Sequence, residues 1–419
     1  MNVLWITNIL FPEAEQLLIG SGELKASGGW MLGAANALLE RGDCNLYVAT
    51  VSNLVKKLTK LKGEEFTYYV LPIGKGNTQK NLEYIPYWQQ IKQEIQPDVI
   101  HIHGTEYSHG HAYILACGSE NVVLSIQGLL HAITPYYFAG IERKDILRYK
   151  TLKDYLRGSI SDEQKIMEKR SLYEIETIRM VKHIIGRTSW DKIHTWAVNS
   201  SAVYHFCNET LRKEFYDGSV WNYHKCQKHS IFLSQAGYPL KGLHQVLKAM
   251  DVILRHYPDT IIRIAGSDIT ACSSWSEIIR LSGYGLYIKK LIKKYHLKEK
   301  VFFVGYLNGE EMKQEYLRSN VFVCPSSIEN SPNSLGEAQI LGVPCVASYV
   351  GGIPDMMKGN EEYLYRFEEE TMMAEKICRI FSNKDVQINM MEEAKKRHDR
   401  QQNSNQLYRI YKTILSANL

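Results

Sequence analysis

Two glutamates, Glu329 and Glu337, flank a short segment made mostly of Asn, Ser, Pro and Gly. A helix is expected to begin around Ser334, so the backbone amides of residues 331–335 would lack helical partners and form a cradle for an anion. A carboxylate on each side of this cradle can accept hydrogen bonds from hydroxyl groups. The layout fits a nucleotide sugar, in which a pyrophosphate separates the sugar hydroxyls from the ribose hydroxyls.

The same segment has a structural interpretation. Ser334 and Glu337 have the spacing of a capping box, in which the glutamate serves only the start of its helix. That interpretation accounts for Glu337 and leaves Glu329 without a role.

Lys241 and Gly242, in "SQAGYPLKGLH", lie in a loop that leads into a predicted helix. An ammonium group beside free helix amides is a suitable ligand for phosphate, although an ordinary surface lysine fits the pattern equally well. Gly28 and Gly29 also precede a predicted helix and would let backbone amides approach a phosphate. The nearby "GSGELK" is not a dinucleotide fingerprint, because Lys25 stands where the third glycine belongs.

Four histidines cluster in "HIHGTEYSHGH", and His101 and His103 alternate onto the same side of a predicted strand. Their spacing would suit a metal ion, but no further type of ligand lies beside them in the sequence. We therefore expect histidines that line a pocket or support the fold, and we predict no metal site.

The candidate site residues must be positioned by the strands and helices around them. The sequence contains eleven short apolar, β-branched segments, and each is followed by a turn and a helical pattern. Continuous apolar strands that alternate with helices indicate parallel sheets buried on both faces. Two successive sets predict an α/β protein with two Rossmann-like, doubly wound domains. We expect domains at 1–222 and 223–395 and a C-terminal helix at 396–419, with the polar stretch 215–229 as linker.

Composition and charge give no indication of a nucleic-acid-binding, secreted or membrane-spanning protein. The chain has 419 residues, 45% of them hydrophobic and 23% charged, and its net charge of +5 is too mild to indicate a nucleic-acid partner. Eight cysteines without a CxxC pair favour free thiols in a reducing cytoplasm. The first residues lack the basic region of a signal peptide, and no apolar run approaches the roughly 20 residues that cross a bilayer.

The basic segment "NLVKKLTKLK" (53–62) places Leu54, Leu58 and Leu61 at helical spacing among lysines. Such a helix can lie on an anionic membrane, here at the cytoplasmic face. An ordinary surface helix has the same pattern, and both interpretations stay open at this point.

Several of these segments, taken together, resemble a known family. The glutamate pair followed by "LGVPCVASYVGGIPD" resembles the donor-site motif of retaining glycosyltransferases with the GT-B fold, most closely glycosyltransferase family 4. "SGGW", "PDVIHIHG", "YPLKG" and "VFFVGYLNGEEMKQEYLRSNVFVCPS" occur in the family's order, and the likeness is strongest from about 229 to 355. "SIQGLL" and "GRTSWD" resemble a branch of bacterial surface polysaccharide synthesis. The resemblance implies two domains facing a central cleft, with the last helix crossing back to the first domain.

The resemblance also implies roles for individual residues. Glu337 would hold the ribose hydroxyls, and Glu329 would contact the transferred sugar. Asn333, Ser334 and Leu335 would line the pyrophosphate and the sugar.

The remaining donor contacts implied by the family surround the diphosphate and the base. Lys241, with Gly242 beside it, would neutralise the leaving diphosphate. Tyr306 and Leu307 would flank the nucleotide base. Gly28 and Gly29 would approach the phosphates from the other domain.

The sequence departs from the family pattern at two positions. Gln127 stands where a histidine commonly follows the fifth strand, and glutamine cannot shuttle a proton at neutral pH. Ala236 stands where an arginine usually precedes the motif lysine, and Arg187 is a replacement cation by position only. His103 and Arg187 are expected in the cleft or at the acceptor.

The expected function is transfer of a sugar, with retention, from a UDP-, GDP- or ADP-sugar to a saccharide or lipid-linked saccharide. No D-x-D occurs in the chain, which favours a metal-independent reaction without a cofactor. A GT-B epimerase, supported by His103 and Glu106, and a phosphorylase are rival enzymes. A catalytically idle sugar-nucleotide-binding partner in polysaccharide assembly is the alternative from another class, supported by Gln127 and Ala236.

Overall fold

The computed structural model describes residues 1–20, 29–73, 82–383 and 388–416. Contacts divide the chain into two compact units. The first comprises residues 1–132, 166–213 and 398–419, and the second comprises residues 133–165 and 214–397. The folding domains at 1–222, 223–395 and 396–419 stay a prediction.

The strands of the described residues are short and mostly buried. They are β1 (Asn2–Ile6), β2 (Asn45–Ser52), β3 (Thr59–Lys62), β4 (Thr67–Pro72), β5 (Val99–His103), β6 (Val122–Ser125), β7 (His183–Gly186), β8 (Val203–Phe206), β9 (Ser230–Leu233), β10 (Ile261–Ile264), β11 (Val301–Phe303), β12 (Val321–Cys324), β13 (Cys345–Ser348) and β14 (Leu364–Tyr365).

The helices range from single turns to the long α8. They are α1 (Pro12–Ile19), α2 (Gly29–Leu39), α3 (Ile85–Ile95), α4 (Ser108–Cys117), α5 (Leu130–Ile133), α6 (Arg143–Arg148), α7 (Leu152–Arg157), α8 (Ile160–Met180), α9 (Ser189–Val198), α10 (Leu243–His256), α11 (Trp275–Arg280), α12 (Gly283–Lys294), α13 (Gly309–Arg318), α14 (Asn333–Ile340), α15 (Ile353–Met356), α16 (Glu370–Ser382), α17 (Ile388–Arg397) and α18 (Arg400–Ser416).

The first unit is built on an eight-stranded sheet of order β3-β4-β2-β1-β5-β6-β7-β8. Its pairs are parallel except for β3 with β4. Alternate residues of β1 belong to two cores: Leu4 and Ile6 pack with α3 and α4, and Val3 and Trp5 pack with α2 and α18. Burial on both faces explains why these strands read as continuous apolar runs.

The second unit has a six-stranded parallel sheet of order β11-β10-β9-β12-β13-β14. Numbered within the unit, this is the order 3-2-1-4-5-6 of a Rossmann fold. The order reverses between β9 and β12, and ligands of such sheets bind beyond the carboxyl ends of the strands at this point. The predicted pair of Rossmann-like sheets is confirmed.

The C-terminal helix α18 packs on the first unit, as predicted. Its apolar residues Leu407, Ile410, Tyr411 and Ile414 recur at helical spacing and join the core around Trp5. The indole Nε1 of Trp5 donates a buried hydrogen bond to Tyr411 Oη at 2.9 Å.

All eleven predicted strands are present, but the prediction for residues 53–62 is wrong. Residues 53–62 are not an amphipathic helix, because residues 59–62 form the antiparallel edge strand β3. Strands β8 and β14 were not predicted. In the predicted linker 215–229, Phe215, Trp221 and Cys226 are buried and belong to the second unit, and its role as a linker stays a prediction.

Two further observations concern membranes and metals. None of the helices within the described ranges combines the length and apolarity needed to cross a bilayer. In the same part of the chain, no cluster of three His, Cys, Asp or Glu side chains could hold a metal ion.

Candidate functional site

The loop after β9 is fixed against the loop after β12. Gly242 has φ +70°, and a Cβ atom there would lie 1.7 Å from the carbonyl oxygen of Pro325. A side chain is therefore excluded both by backbone conformation and by space. The amide of Ser327 donates to the carbonyl of Leu240 at 2.8 Å. These contacts place Lys241, which ends the short 3₁₀ turn Pro239–Lys241, beside the loop after β12.

Lys241 and Glu329 form an ion pair at the point where the strand order reverses. Lys241 Nζ lies 2.5 Å from Glu329 Oε1, and about 15% of each side chain is exposed. Ser326 Oγ donates to the same carboxylate oxygen at 2.8 Å. Burial alone lowers the pKa of Lys241, but the Glu329 carboxylate outweighs it and holds that pKa above its ordinary value. The ammonium group therefore stays charged.

The glycine pair after the motif supports Glu329 through its backbone. Gly351 has φ +52°, and a Cβ atom there would lie 1.9 Å from the Glu329 carbonyl oxygen. The amide of Gly352 donates to that same oxygen at 3.0 Å. The "VGGIPD" segment thus fixes the loop that carries Glu329.

Helix α14 begins at Asn333, within one residue of the prediction, and Pro332 precedes it without a side-chain cap. The capping-box interpretation of Glu337 is therefore wrong. Glu337 is buried, and Tyr316 Oη donates to Glu337 Oε2 at 3.4 Å and to the Ser334 carbonyl at 3.0 Å.

The cradle of free amides is smaller than predicted. The amide of Leu335 donates to the Pro332 carbonyl at 3.0 Å, and the Leu335 side chain is fully buried. The Leu335 amide is therefore used within the first turn of α14 and is not available to an anion.

Tyr306 and Leu307 follow β11 at the same edge of the sheet. Gly305 has φ +83°, and its carbonyl accepts from the Gly266 amide at 2.7 Å, which fixes the turn. The Tyr306 side chain is 87% exposed. An exposed ring on a fixed turn is suited to stack on a planar base.

In the first unit, Arg187 and Gln127 share a carboxylate that the sequence did not single out. Arg187 Nη1 pairs with Glu209 Oε2, and Gln127 Nε2 donates to Glu209 Oε1 at 2.8 Å. Arg187 Nη2 also donates to the carbonyl of Ile126 at 2.9 Å. Glu209 follows β8, so recognising that strand would have been the signal that pointed to it.

His101 and His103 stack with ring centroids 3.7 Å apart. Burial lowers the pKa of His101 and takes that of His103 to about 3, so both rings are neutral at pH 7. Together with Trp5, Arg187 and Glu209 they line a cavity of about 50 Å³. In the described part of the chain, no hydrogen-bond partner reaches Nε2 of His103. His103 lines a pocket, in agreement with the prediction for this cluster.

Glu106 is a carboxyl group held in a network of hydrogen bonds after β5. Burial raises its pKa to about 7. Its oxygens accept from the Gly128 amide at 3.0 Å and from Asn8 Nδ2 at 2.9 Å. It therefore lies beside the Gln127–Gly128 pair.

Of the two glycines predicted at the start of α2, the structure describes one. Gly28 lies outside the described residues, and Gly29 is the first residue of α2. Their role toward phosphate stays a prediction.

Residues 224–397 match the family model described as glycosyl transferases group 1. YtcC of Bacillus subtilis, named provisionally as a glycosyltransferase, is 22% identical over 340 residues, which cover 77% of this chain and 75% of that protein. The matched segment contains Lys241, Glu329 and Glu337.

Solved structures share the fold over the whole chain. Sucrose-phosphate synthase from Thermosynechococcus elongatus superposes with a TM-score of 0.72 at 15% identity and covers 99% of both chains. HepE of Anabaena, solved in complex with UDP and glucose, has a TM-score of 0.63 at 13% identity and covers 97% of this chain and 98% of its own. The two sheets are those of a GT-B glycosyltransferase fold.

Proposed function

We propose that this protein is a retaining glycosyltransferase that moves a sugar from a nucleoside-diphosphate donor to a hydroxyl group of a saccharide or lipid-linked saccharide. The observation that carries the proposal is the juxtaposition of Lys241 and Glu329, 2.5 Å apart, where the order of the second sheet reverses. Parallel sheets bind ligands at this point. The UDP and glucose in the Anabaena structure support the same class of donor.

The donor would lie along the start of α14. Its diphosphate would meet the Lys241 ammonium and the amides of Asn333 and Ser334, and the Glu337 carboxylate would accept from the ribose hydroxyls. Glu329 would accept from the transferred sugar and keep the ammonium group oriented. Tyr306 would stack on the base, with Leu307 and Gly242 completing the lining.

The proposed reaction has one proton to move. The acceptor oxygen forms a bond to the anomeric carbon as the bond from that carbon to the phosphate oxygen breaks. The leaving phosphate oxygen takes the proton from the acceptor hydroxyl on the same face of the sugar, which retains the anomeric configuration. Lys241 would stabilise the negative charge that develops on the diphosphate.

We propose the same-face route in preference to a double displacement. A double displacement needs a carboxylate nucleophile on the opposite face of the sugar. Glu329 is held by Lys241 and Ser326, and its role here is to bind. Protein groups supply the charge stabilisation in this proposal, so the reaction needs no metal ion or cofactor.

One observation favours an epimerase as the second candidate. Glu106, with a pKa of about 7, could accept and return a proton. This reaction would give a second sugar nucleotide from the first without an acceptor. An idle donor-binding partner would instead bind the diphosphate and leave the sugar nucleotide intact.

We place the reaction in bacterial surface polysaccharide synthesis, in the cytoplasm or at the cytoplasmic face of the membrane. The support is the likeness of "SIQGLL" and "GRTSWD" to that branch of glycosyltransferase family 4.

A thermal-shift screen against UDP, GDP, ADP, CDP and dTDP tests the donor site. One diphosphate is expected to raise the melting temperature, as binding to the folded state requires. Glu337→Ala should abolish the rise, and Glu368→Ala, at an exposed glutamate, should keep it. No response to any diphosphate at millimolar concentration would refute the proposal.

A further inference from the structure

Two helices of the second unit expose their apolar faces. Apolar residues recur at positions i, i+3 and i+4 in both α7 and α11, so they share one face of each helix. All of these side chains are exposed: Leu152, Tyr155, Leu156, Trp275, Ile278 and Ile279. The exposed fractions reach 82% for Trp275, 74% for Tyr155 and 70% for Leu156. We call these six residues the α7–α11 surface.

The two helices are held together by contacts behind this surface. Thr151 Oγ1, at the N-cap of α7, donates to the carbonyl of Leu281, just after α11, at 2.6 Å. Asp154 is buried and completes the capping box of α7. A Cβ atom at Gly283 would lie 2.6 Å from Asp154 Oδ2, which shows how closely the chains approach.

This arrangement inverts the usual pattern of a surface helix, whose apolar stripe faces the core. In α7 the buried side chain is the acid Asp154, whereas the apolar stripe faces outward. α11 buries none of its residues. The orientation is set by capping and packing, so the exposed stripe is a fixed feature of the fold.

The chain around the α7–α11 surface is strongly basic. Residues 142–158 and 275–294 contain eleven Lys or Arg and four Asp or Glu, a net charge of +7. The whole chain has a net charge of +5, so the remaining residues are slightly acidic in sum. The positive charge of this protein is thus concentrated in the two chain segments that contain α7 and α11.

We infer that the α7–α11 surface docks on an anionic lipid bilayer. Trp and Tyr side chains favour the boundary between headgroups and acyl chains, and Leu and Ile side chains bury their apolar area just beneath it. Lys and Arg near such a surface add attraction of about 1 kcal/mol each to acidic lipids. The surface lies on the second unit and is separate from the basic segment 53–62, which forms no amphipathic helix.

Vesicle co-sedimentation of the 419-residue chain tests this inference. The probes are vesicles of phosphatidylcholine alone and of phosphatidylcholine with about 30% phosphatidylglycerol. The protein is expected to sediment with the anionic vesicles, and high salt should release it. The triple variant Tyr155→Ser, Leu156→Ser, Trp275→Ser should lose at least about tenfold in partitioning.

A matched control removes exposed apolar side chains from another helix. Ile193 and Trp196 of α9 are exposed to 61% and 64%. The variant Ile193→Ser, Trp196→Ser should bind the vesicles like the wild type. Circular dichroism melts of both variants check that the fold is intact.

Three outcomes would overturn the inference. The wild type would stay in the supernatant with anionic vesicles, or the triple variant would bind as well as the wild type. The third outcome is a dimer, detected by light scattering and abolished in the triple variant, in a protein that binds no vesicles; it would assign the surface to a second copy. None of these measurements uses a sugar nucleotide. A result that overturns the membrane inference therefore leaves the proposed function untouched.

Discussion

Lys241 Nζ and Glu329 Oε1 lie 2.5 Å apart in a mostly buried ion pair that joins the ends of two adjacent strands, β9 and β12. The cation that we assign to the donor diphosphate is thus already held by the carboxylate that we assign to the sugar. The ammonium has three N–H donors, so it can keep Glu329 while it donates to a phosphate oxygen. When no donor is bound, Glu329 keeps the Lys241 ammonium oriented and neutralises its buried charge.

Removal of one partner of the Lys241–Glu329 ion pair should lower the free energy of unfolding. Lys241→Met is expected to lower the free energy of unfolding by about 3 kcal/mol, because it leaves the Glu329 carboxylate without its cation. Lys241→Met combined with Glu329→Leu should recover part of this loss. Urea unfolding of Lys241→Met, Glu329→Leu and the double variant measures the effect, with Lys358→Met at an exposed lysine as the control. Losses that simply add in the double variant would show that the pair is not coupled.

Glu337 should matter for donor affinity more than for folding. Loss of charge-assisted hydrogen bonds to two ribose hydroxyls is worth about 1.5–3 kcal/mol, so Glu337→Gln should raise the donor KM at least about tenfold. The amide keeps an acceptor for Tyr316 Oη, and the melting temperature should change little. Steady-state kinetics measures both constants. An unchanged KM would remove Glu337 from the ribose site.

The backbone at Gly242 should tolerate no side chain. Gly242→Ala places a Cβ atom 1.7 Å from the Pro325 carbonyl oxygen at φ +70°, so the loop that carries Lys241 must move. We expect a loss of about 2 kcal/mol or more in unfolding free energy and loss of diphosphate binding. Gly237→Ala is the matched control, because no atom lies within 4 Å of its added Cβ. Equal behaviour of the two variants would contradict this account of the loop.

Glu106 should give stability a pH dependence that opposes that of the buried histidines. Its pKa rises from 4.5 to about 7 on folding, so its contribution is fully present below pH 4.5 and is lost as pH rises through 7. His101, His103 and His109 have lowered pKa values and instead cost stability as pH falls below 6.5.

The difference between wild type and Glu106→Gln isolates the carboxyl group. Glutamine preserves the size of the side chain and removes the titration. Urea unfolding at about pH 5 and about pH 8 should show the wild type losing of order 1–3 kcal/mol relative to the variant. A difference that does not change with pH would refute the raised pKa.

The buried strands were predictable because their residues are apolar on both faces. The missed strands lack that property. β8 is Val-Tyr-His-Phe with its outer residues exposed, and β14 has two residues. In residues 53–62 the leucines have helical spacing, but pairing of β3 with β4 at the sheet edge decides the structure.

The candidate site was predictable where strand ends converge and unpredictable where distant chain segments meet. Lys241 and Glu329 follow strands that become neighbours in a doubly wound sheet, so their approach follows from the fold class. The ion pair between Arg187 and Glu209 does not follow from the fold class, because Glu209 comes after the unpredicted strand β8. The use of the Leu335 amide by Pro332 depends on the exact first turn of α14.

Proton NMR of donor turnover tests the central claim of sugar transfer with retention most directly. The sugar nucleotide whose diphosphate stabilises the protein is incubated with wild type and with Lys241→Ala. The account predicts that the sugar is released to water or to an added acceptor in the same anomeric configuration, and that Lys241→Ala slows release at least about a hundredfold. A product of inverted configuration, or a donor that binds and stays intact, would contradict it.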